Sequence, residues 1–185
     1  MGKIILVTGG ARSGKSSFAE KLALKIGGGR AAYIATAQIF DKEMDFRVKL
    51  HKSRRGEAWQ TFEAPFAAEE KILAAAENFS AILFDCVTIY VSNFLCAANL
   101  DDEKFLYDEL RGLIEKLIAA AESSEATIIF VSNEVGGGIV PENKLARFFR
   151  DLAGLANQML AARAEKVFLT VAGVAVDVKK LEEVI

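Results

Sequence analysis

The sequence predicts a layered α/β domain with a mostly parallel central sheet. Short, nearly continuous apolar runs recur five times, at residues 3–8, 31–36, 81–86, 126–132 and 166–172. Strands that are apolar at almost every position are typical of parallel sheets, because helices cover both faces of such sheets. The segments between these runs have helical periodicity, and this alternation favours right-handed crossovers between parallel strands.

The helical pattern occupies residues 14–26, 41–55, 65–78, 88–99, 102–122 and 141–164. The glycines at 27–29 are predicted to end the first helix. Asp102 is predicted to begin the fifth, because short polar side chains cap helix N-termini. The two prolines, Pro65 and Pro141, are each predicted to start a helix. The alternation of acidic, basic and apolar residues at 177–185 predicts a short surface helix.

The composition excludes several classes of protein. Hydrophobic residues make up 52% of the 185 residues, and the net charge of -2 is close to zero, so the chain is not disordered. That balance also argues against a general nucleic-acid binder. No apolar run reaches the ~18 residues of a membrane span, and the N-terminus lacks a signal-peptide pattern. We expect one domain over residues 1–185, in the cytoplasm, with Cys86 and Cys96 as reduced core residues.

A glycine-rich loop follows the first predicted strand and opens the first predicted helix. Residues 9–16 fit the pattern G-x-x-x-x-G-K-[ST] in full. Glycines let backbone N–H groups turn onto phosphate oxygens, and a helix N-terminus adds partial positive charge. Lys15 is predicted to reach the β- and γ-phosphates, and the Ser16 hydroxyl to ligate Mg²⁺. The loop predicts a nucleoside triphosphate site made of Gly9, Gly10, Ala11, Arg12, Ser13, Gly14, Lys15 and Ser16.

Asp85 ends the third predicted strand, after an apolar run. Enzymes with this phosphate-binding loop hold the Mg²⁺ shell with an acidic residue at the end of another strand. An aspartate at a strand end can instead cap the following helix, here the one predicted from residue 88. Asp85 is therefore a candidate metal ligand, with helix capping as the alternative.

His51 is the only histidine, and it lies in a basic segment. Five of the nine residues at 47–55 are Lys or Arg, and none is acidic. One interpretation is a solvated basic helix face. The other is nucleophilic catalysis. Neighbouring positive charges lower the pKa of the imidazole and so favour its neutral form, which can attack phosphorus. The same positive charges can also hold phosphate groups.

Six blocks of sequence resemble one known family. They are VTGGARSGKS at residues 7–16, YIATAQ at 33–38, the His-Lys and Arg-Arg-Gly steps within 45–59, DCVT at 85–88 with Ser92-Asn93, SNEVGGGIVP at 132–141 and LARFFRDLAGLAN at 145–157. In this order they are similar to the bifunctional adenosylcobinamide kinase / adenosylcobinamide-phosphate guanylyltransferases of cobalamin biosynthesis. The phosphate-binding loop alone is common to many families, whereas the last two blocks are far more specific.

The resemblance implies a three-layer, RecA-like P-loop fold and two reactions. The first phosphorylates adenosylcobinamide with ATP or GTP. The second transfers GMP from GTP to adenosylcobinamide phosphate through a guanylylated histidine, which corresponds to His51. It also implies a homotrimer, Mg²⁺ as cofactor, and no nucleic-acid partner. The implied nucleotide contacts outside the loop are Ile34, Ala35, Thr36, Lys52, Ser53, Arg54, Arg55, Glu63 and Asp85.

Two other functions remain open from the residues alone. A P-loop kinase for a small metabolite would phosphorylate an alcohol without a covalent nucleotide intermediate. A nucleotide-gated binding module would bind nucleotide without turnover. The lone histidine in its basic segment favours the bifunctional enzyme over both.

The glycine run at 136–138 has two interpretations, a flexible strand-to-helix loop or a mobile wall of the substrate pocket. Asn133 and Glu134, just before it, are candidates to orient the attacking group. Arg147 and Arg150 either meet phosphate or a neighbouring subunit, or remain solvated. The aromatic residues Trp59, Phe148 and Phe149 are interpreted as packing or interface residues.

Overall fold

Seven strands form one sheet in the computed structural model, which describes residues 2–38 and 56–183. They are β1 (Lys3–Gly9), β2 (Ala31–Ala35), β3 (Trp59–Glu63), β4 (Ala81–Asp85), β5 (Thr127–Asn133), β6 (Lys166–Val171) and β7 (Val174–Asp177). Their order across the sheet is β3-β2-β4-β5-β1-β6-β7. Only β7 runs antiparallel to its neighbour among these strands. The predicted α/β fold with a mostly parallel sheet is thus confirmed.

Five α-helices are described: α1 (Lys15–Ile26), α2 (Ala68–Ala76), α3 (Val87–Ala97), α4 (Glu103–Ser123) and α5 (Lys144–Arg163). Short 3-10 helices cover Gly56–Ala58 and Val178–Leu181. Helix α4 shows why such segments fold as they do, because its apolar residues recur at helical spacing and are buried on one side, at Leu106, Leu110, Ile114, Leu117 and Ala121. Within the described ranges, none of the helices combines the length and apolar character that crossing a membrane requires.

The two faces of the sheet bury different cores. On one face, Val7, Tyr33 and Leu83 pack with Ala19 and Ala23 of α1. On the other face, alternate residues of the same strands pack against α2, α3, α4 and α5, among them Leu6, Ile34, Phe84, Ile128 and Phe130. Successive side chains on a strand point to opposite faces, so continuous apolar strands supply both cores.

The strand register brings the carboxyl ends of five strands to one edge. Ala35 lies between Glu63 of β3 and Asp85 of β4, and Gly9 of β1 lies beside Asn133 of β5. Strand β5 separates β1 from β4, so the glycine loop and Asp85 stand one strand apart. This is the arrangement of a RecA-like P-loop fold, and ligands of open α/β sheets bind at such an edge.

Two strands were not predicted. Strand β3 lies at the sheet edge and is half exposed, so the sequence WQTFE lacks the continuous apolar run of a buried strand. Strand β7 has four residues and pairs only with β6 after a tight turn, in which Ala172 and Gly173 both have positive φ. The five predicted strands are confirmed, with no end displaced by more than one residue.

Several predicted boundaries were wrong. Pro65 and Pro141 do not start helices; α2 begins at Ala68 and α5 at Lys144, where Asn143 caps its N-terminus. Residues 177–185 were predicted as a short surface helix; among the described residues 177–183, Asp177 ends β7 and a 3-10 helix covers Val178–Leu181. The predicted helix at 41–55 lies outside the described residues.

The two cysteines have different environments. Cys86 is buried and free, as predicted. Cys96 is also free but exposed, so its prediction as a core residue was wrong. It lies near the end of α3, next to the buried Leu95. The described residues form one sheet, and the prediction of a single domain over the whole chain stays a prediction.

Candidate active site

The glycine loop turns directly from β1 into α1. Gly14 has a φ of 95°, and a Cβ at this position would lie 3.0 Å from the Cα of Gly173. Glycine is therefore favoured here both by backbone conformation and by space. No side chain caps the N-terminus of α1. The N–H groups of its first turn have no partners within the helix, and such groups bind phosphate at helix N-termini.

The turn between β6 and β7 supports this loop from outside. The Gly173 N–H donates to the Ser13 carbonyl at 2.8 Å. The Ser13 and Thr170 hydroxyls are 2.8 Å apart, and the Thr170 hydroxyl donates to the Thr8 carbonyl at 3.0 Å. The loop conformation is thus fixed by residues more than 150 positions away in sequence.

Lys15 is a buried cation at the start of α1. Its ammonium donates to the Gly10 carbonyl across the loop at 3.1 Å. Burial lowers the pKa of Lys15, while the charges of Cys86 and Asp85 oppose that change. The lysine is therefore electrostatically coupled to the end of β4, and a bound phosphate group would compensate the cost of burying its charge.

Asp85 is half-buried at the end of β4, and its carboxylate oxygen Oδ2 accepts a hydrogen bond from the Tyr33 hydroxyl at 2.8 Å. The residue at the N-cap of α3 is Cys86, and no side chain caps that helix. The helix-capping alternative for Asp85 was therefore wrong. Its position beside β5 and near Lys15 matches the metal-side alternative, which stays a prediction.

Thr36 holds the end of β2 against the start of α3. Its hydroxyl accepts from the Cys86 N–H at 2.8 Å and donates to the Cys86 carbonyl at 3.0 Å. The Asn93 amide donates to the Thr36 carbonyl at 2.8 Å and to the Pro65 carbonyl at 3.0 Å. These buried contacts fix the backbone around Asp85.

A second polar chain begins at the end of β5. The Asn133 amide donates to the Thr88 hydroxyl at 2.8 Å, and this hydroxyl lies 3.1 Å from the Cys86 sulfur. Burial, followed by the charge of Asp85, raises the pKa of Cys86 to about 11. Cys86 is therefore a protonated thiol near neutral pH and contributes structure rather than a nucleophile.

The glycine run after β5 is held by its own neighbour. Glu134 donates its N–H to the Gly9 carbonyl at 3.1 Å, which ties this run to the glycine loop. The Glu134 carboxylate accepts from the N–H groups of Gly136 and Gly137, at 2.6 and 3.3 Å.

Arg147 donates to the Pro141 carbonyl at 3.1 Å, and Arg150 pairs with Asp151 at 3.4 Å. Both arginines thus have partners within their own segment.

The structure brings together part of the predicted site. The loop residues 9–16 and Asp85 lie at one edge of the sheet, with Ala35 beside Asp85 and Glu63 exposed at the end of β3. Ile34 and Thr36 are fully buried, Ile34 in the core and Thr36 against Cys86. Their predicted nucleotide contacts stay predictions. His51, Lys52, Ser53, Arg54 and Arg55 lie outside the described residues.

Sequence reasoning missed the residues that support the site. Tyr33, Asn93 and Thr170 lie within apolar or helical patterns, and their partners are 52, 57 and 157 positions away. No local spacing signals such contacts. The polar hydroxyl or amide in an otherwise buried apolar segment is the one available sign, because buried polar groups are normally hydrogen-bonded.

The donor set fits a magnesium ion that is shared with a nucleotide. Ser16 and Asp85 supply hard oxygen donors, and the ordered Asp85 carboxylate stands near the loop lysine. Magnesium typically takes only one or two protein ligands beside substrate phosphates and water. The described residues contain no cluster of three or more His, Cys, Asp or Glu that could hold a metal by itself.

These features define a class of protein: a RecA-like P-loop protein that binds nucleoside triphosphates, with Lys15 in the loop and an acidic residue two strands away, beyond β5. A family model described as cobinamide kinase / cobinamide phosphate guanyltransferase matches residues 5–178. The chain belongs to this family, and it is an enzyme of cobalamin biosynthesis.

Three proteins of this kind match the sequence over nearly the full length of the chain. The chain is 46% identical to the bifunctional adenosylcobalamin biosynthesis protein CobU of Salmonella typhimurium, over 95% of this chain and 99% of that protein. It is 44% identical to CobU of Escherichia coli, over 95% of this chain and 99% of that protein. It is 41% identical to the bifunctional adenosylcobalamin biosynthesis protein CobP of Pseudomonas aeruginosa, over 94% of this chain and 96% of that protein.

Solved structures are similar at much lower identity. Flagellar accessory protein FlaH from Methanocaldococcus jannaschii gives a TM-score of 0.47 at 14% identity, over 94% of this chain and 74% of that chain. The RadB recombinase gives a TM-score of 0.47 at 17% identity, over 90% and 73%.

Proposed function

We propose that this enzyme phosphorylates adenosylcobinamide with ATP or GTP and then transfers GMP from GTP to the product through His51. The observation that carries the proposal is the ordered P-loop, whose buried Lys15 stands near Asp85 at the carboxyl edge of the sheet. Family membership over residues 5–178 supports both activities, because that range includes the loop and His51.

In the kinase reaction, the N–H groups at the start of α1 bind the phosphates, and Lys15 stabilises charge on the transferred group. Ser16 and Asp85 would hold Mg²⁺, which would supply neutralisation of phosphate charge. The hydroxyl of adenosylcobinamide attacks the γ-phosphorus, the bond to the β–γ bridging oxygen breaks, and the hydroxyl proton passes to solvent or a base. The protein contributes positioning and electrostatic stabilisation.

In the guanylyl transfer, the His51 imidazole attacks the α-phosphorus of GTP. A nitrogen–phosphorus bond forms, the bond between that phosphorus and the α–β bridging oxygen breaks, and pyrophosphate leaves with the electron pair. A phosphate oxygen of adenosylcobinamide phosphate then attacks the same phosphorus. The nitrogen–phosphorus bond breaks, His51 is regenerated and adenosylcobinamide-GDP is released. Lys52, Arg54 and Arg55 offset the negative charge of the phosphates.

Several finer points belong to this proposal. Ser53 and Glu63 contact nucleotide, as do Ile34, Ala35 and Thr36. The enzyme is a cytoplasmic homotrimer. Of the aromatic pair predicted for packing or an interface, Phe148 is buried in the protein's own core. Phe149 is only partly buried and is the one available to a neighbouring subunit.

The test is covalent labelling with α-labelled GTP and Mg²⁺. Denatured wild-type protein should keep label that is labile to acid and stable to base, as a histidine phosphoramidate is. Because His51 is the only histidine, His51→Ala removes every histidine that could form such a bond, while every lysine remains. This variant should lose the label and retain most kinase activity.

Lys15→Ala serves as the matched variant for the other half of the site. It should lose kinase activity. Absence of label on folded, GTP-binding wild-type protein would refute the covalent step and favour a kinase without a covalent intermediate.

A further inference from the structure

We infer that Tyr33 is a positioning residue that holds the Asp85 carboxylate in its metal-binding orientation. This inference rests on the proposed function, in which Asp85 faces Mg²⁺. Tyr33 lies in the middle of β2 and its hydroxyl donates to Asp85 Oδ2 at 2.8 Å. Tyr33 is a buried residue of the α1-side core, outside the glycine loop.

The strand register explains why this side chain reaches Asp85. Asp85 pairs with Ala35, and Tyr33 is two residues earlier on the same strand, so its side chain points to the same face of the sheet. Diagonal neighbours of this kind are ~7–8 Å apart at the backbone, within reach of an aromatic side chain. A tyrosine at position 33 therefore spans the gap, whereas a smaller polar residue would not.

The ring of Tyr33 is fixed by its surroundings. Tyr33 is only 4% exposed and belongs to the α1-side core with Leu83. The Trp59 ring meets it edge-on, with centroids 6.0 Å apart. Because a packed ring cannot change rotamer freely, the direction of the hydroxyl is fixed before any ligand binds.

The hydrogen bond has a chemical consequence at the site. A carboxylate has two oxygens, and the bond to Oδ2 stops rotation of the group while Oδ1 keeps its lone pairs. Lys15 lies close enough for its charge to interact with Asp85, and its ammonium already donates to Gly10. Asp85 is thus hydrogen-bonded to Tyr33, and Lys15 is hydrogen-bonded to the Gly10 carbonyl. These bonds orient the carboxylate for a metal ion and the ammonium for phosphate.

The experiment compares Tyr33→Phe with Tyr90→Phe. Each variant deletes one hydroxyl from a buried ring, and the Tyr90 hydroxyl accepts from the Ala68 N–H at 3.2 Å, away from Asp85. Binding of Mn²⁺ is measured by electron paramagnetic resonance in the presence of a non-hydrolysable ATP analogue. Affinity for the analogue without metal is measured separately, and thermal melting verifies the fold.

Tyr33→Phe should weaken Mn²⁺ binding about 10-fold, the usual effect of removing an outer-shell partner. Its affinity for the metal-free analogue should change by less than about twofold, because phosphate binding by the loop does not depend on Asp85. The kinase reaction should need correspondingly more Mg²⁺. Tyr90→Phe should bind Mn²⁺ as the wild type does.

Asp85→Asn separates failure of this inference from failure of the proposed function. If Asp85→Asn weakens Mn²⁺ binding and Tyr33→Phe does not, the positioning role is refuted and the metal role of Asp85 stands. If neither variant changes Mn²⁺ binding, the metal role of Asp85 is refuted and this inference with it. An effect of Tyr33→Phe without one of Asp85→Asn would also refute action through Asp85.

Discussion

The two faces of the sheet are built for different purposes. The face covered by α2, α3, α4 and α5 buries the larger core, where the Tyr90 hydroxyl accepts from the backbone of α2. The face covered by α1 has a smaller core, and it includes the hydroxyl of Tyr33 and the thiol of Cys86. Charged and polar groups cluster where this smaller core meets the carboxyl edge, at Lys15 and Asp85. Stability is thus concentrated on one face and chemistry on the other.

The N-termini of two helices illustrate the same division. Helix α4 is capped by its own sequence, because the Asp102 carboxylate accepts from the Phe105 N–H at 3.0 Å. The N-cap residue of α1 is Gly14, which has no side chain and leaves that end to a ligand. A helix that stabilises the fold satisfies its own N–H groups, whereas a helix that binds phosphate cannot do so fully.

The largest expected effect tests the difference between the two cores. Phe130→Ala removes a fully buried ring that lies 5.1 Å from the Phe84 ring on the four-helix face. It should lower the free energy of unfolding by about 3–5 kcal/mol. Phe18→Ala, on the α1 face, removes a partly buried ring 4.9 Å from Phe168 and should cost about 1–2 kcal/mol. Urea unfolding measures both, and equal losses would contradict the comparison.

The next effect separates activity from stability on the α1 face. Lys15→Met should lower kcat of the kinase reaction roughly 10²–10³-fold, because a charge placed on the transferred phosphate is lost. Its unfolding free energy should be unchanged or higher, since the wild-type ammonium is buried at a cost in solvation. Steady-state kinetics and urea unfolding give the two values. A strong loss of stability would mean that Lys15 is primarily structural.

The pH dependence of the free enzyme should report the same lysine. Burial lowers the pKa of Lys15 from the ordinary 10.5, so the cation is lost at a lower pH than on an exposed lysine. As pH rises through that lowered pKa, kcat/KM of the kinase reaction should fall about tenfold per pH unit, since the neutral amine binds phosphate poorly. The activity that Lys15→Arg retains should not fall in that range, because guanidinium stays charged. A parallel fall in both proteins would assign the titration elsewhere.

The smallest expected effect concerns the cap of α4. Asp102→Ala removes the acceptor for the Phe105 N–H and should lower the unfolding free energy by about 1 kcal/mol. Asp101→Ala removes an equal charge just before the cap and should cost less than half as much. Kinase activity should be unchanged in both, because α4 packs on the face opposite α1. A cost shared equally by the two variants would point to charge rather than capping.

Much of the fold followed from local pattern, and the exceptions have a common cause. Buried parallel strands are apolar throughout, so β1, β2, β4, β5 and β6 were predictable. The edge strand β3 and the short β7 lack that pattern, because each is partly exposed and gains its pairing from a neighbour. The helix starts near Pro65 and Pro141 were misplaced because proline permits a first turn without requiring one.

The candidate site also has one part that local sequence predicts and one part that it does not. The loop at residues 9–16 is contiguous, so its spacing alone was enough to predict a phosphate site there. Asp85 was visible at its strand end, but local sequence could not decide between metal ligand and helix cap. The structure excludes the cap, because no side chain caps α3, and the metal role stays a prediction.

The sequence by itself determined the layered α/β class, the glycine loop with its lysine and, through family resemblance, the two activities. Only the tertiary structure decided what supports the loop and Asp85. Thr170 meets Ser13 across 157 positions and Tyr33 meets Asp85 across 52, because strands distant in sequence pair in register. Periodicity and spacing describe a residue's own element, whereas these contacts depend on which strands become neighbours in the sheet.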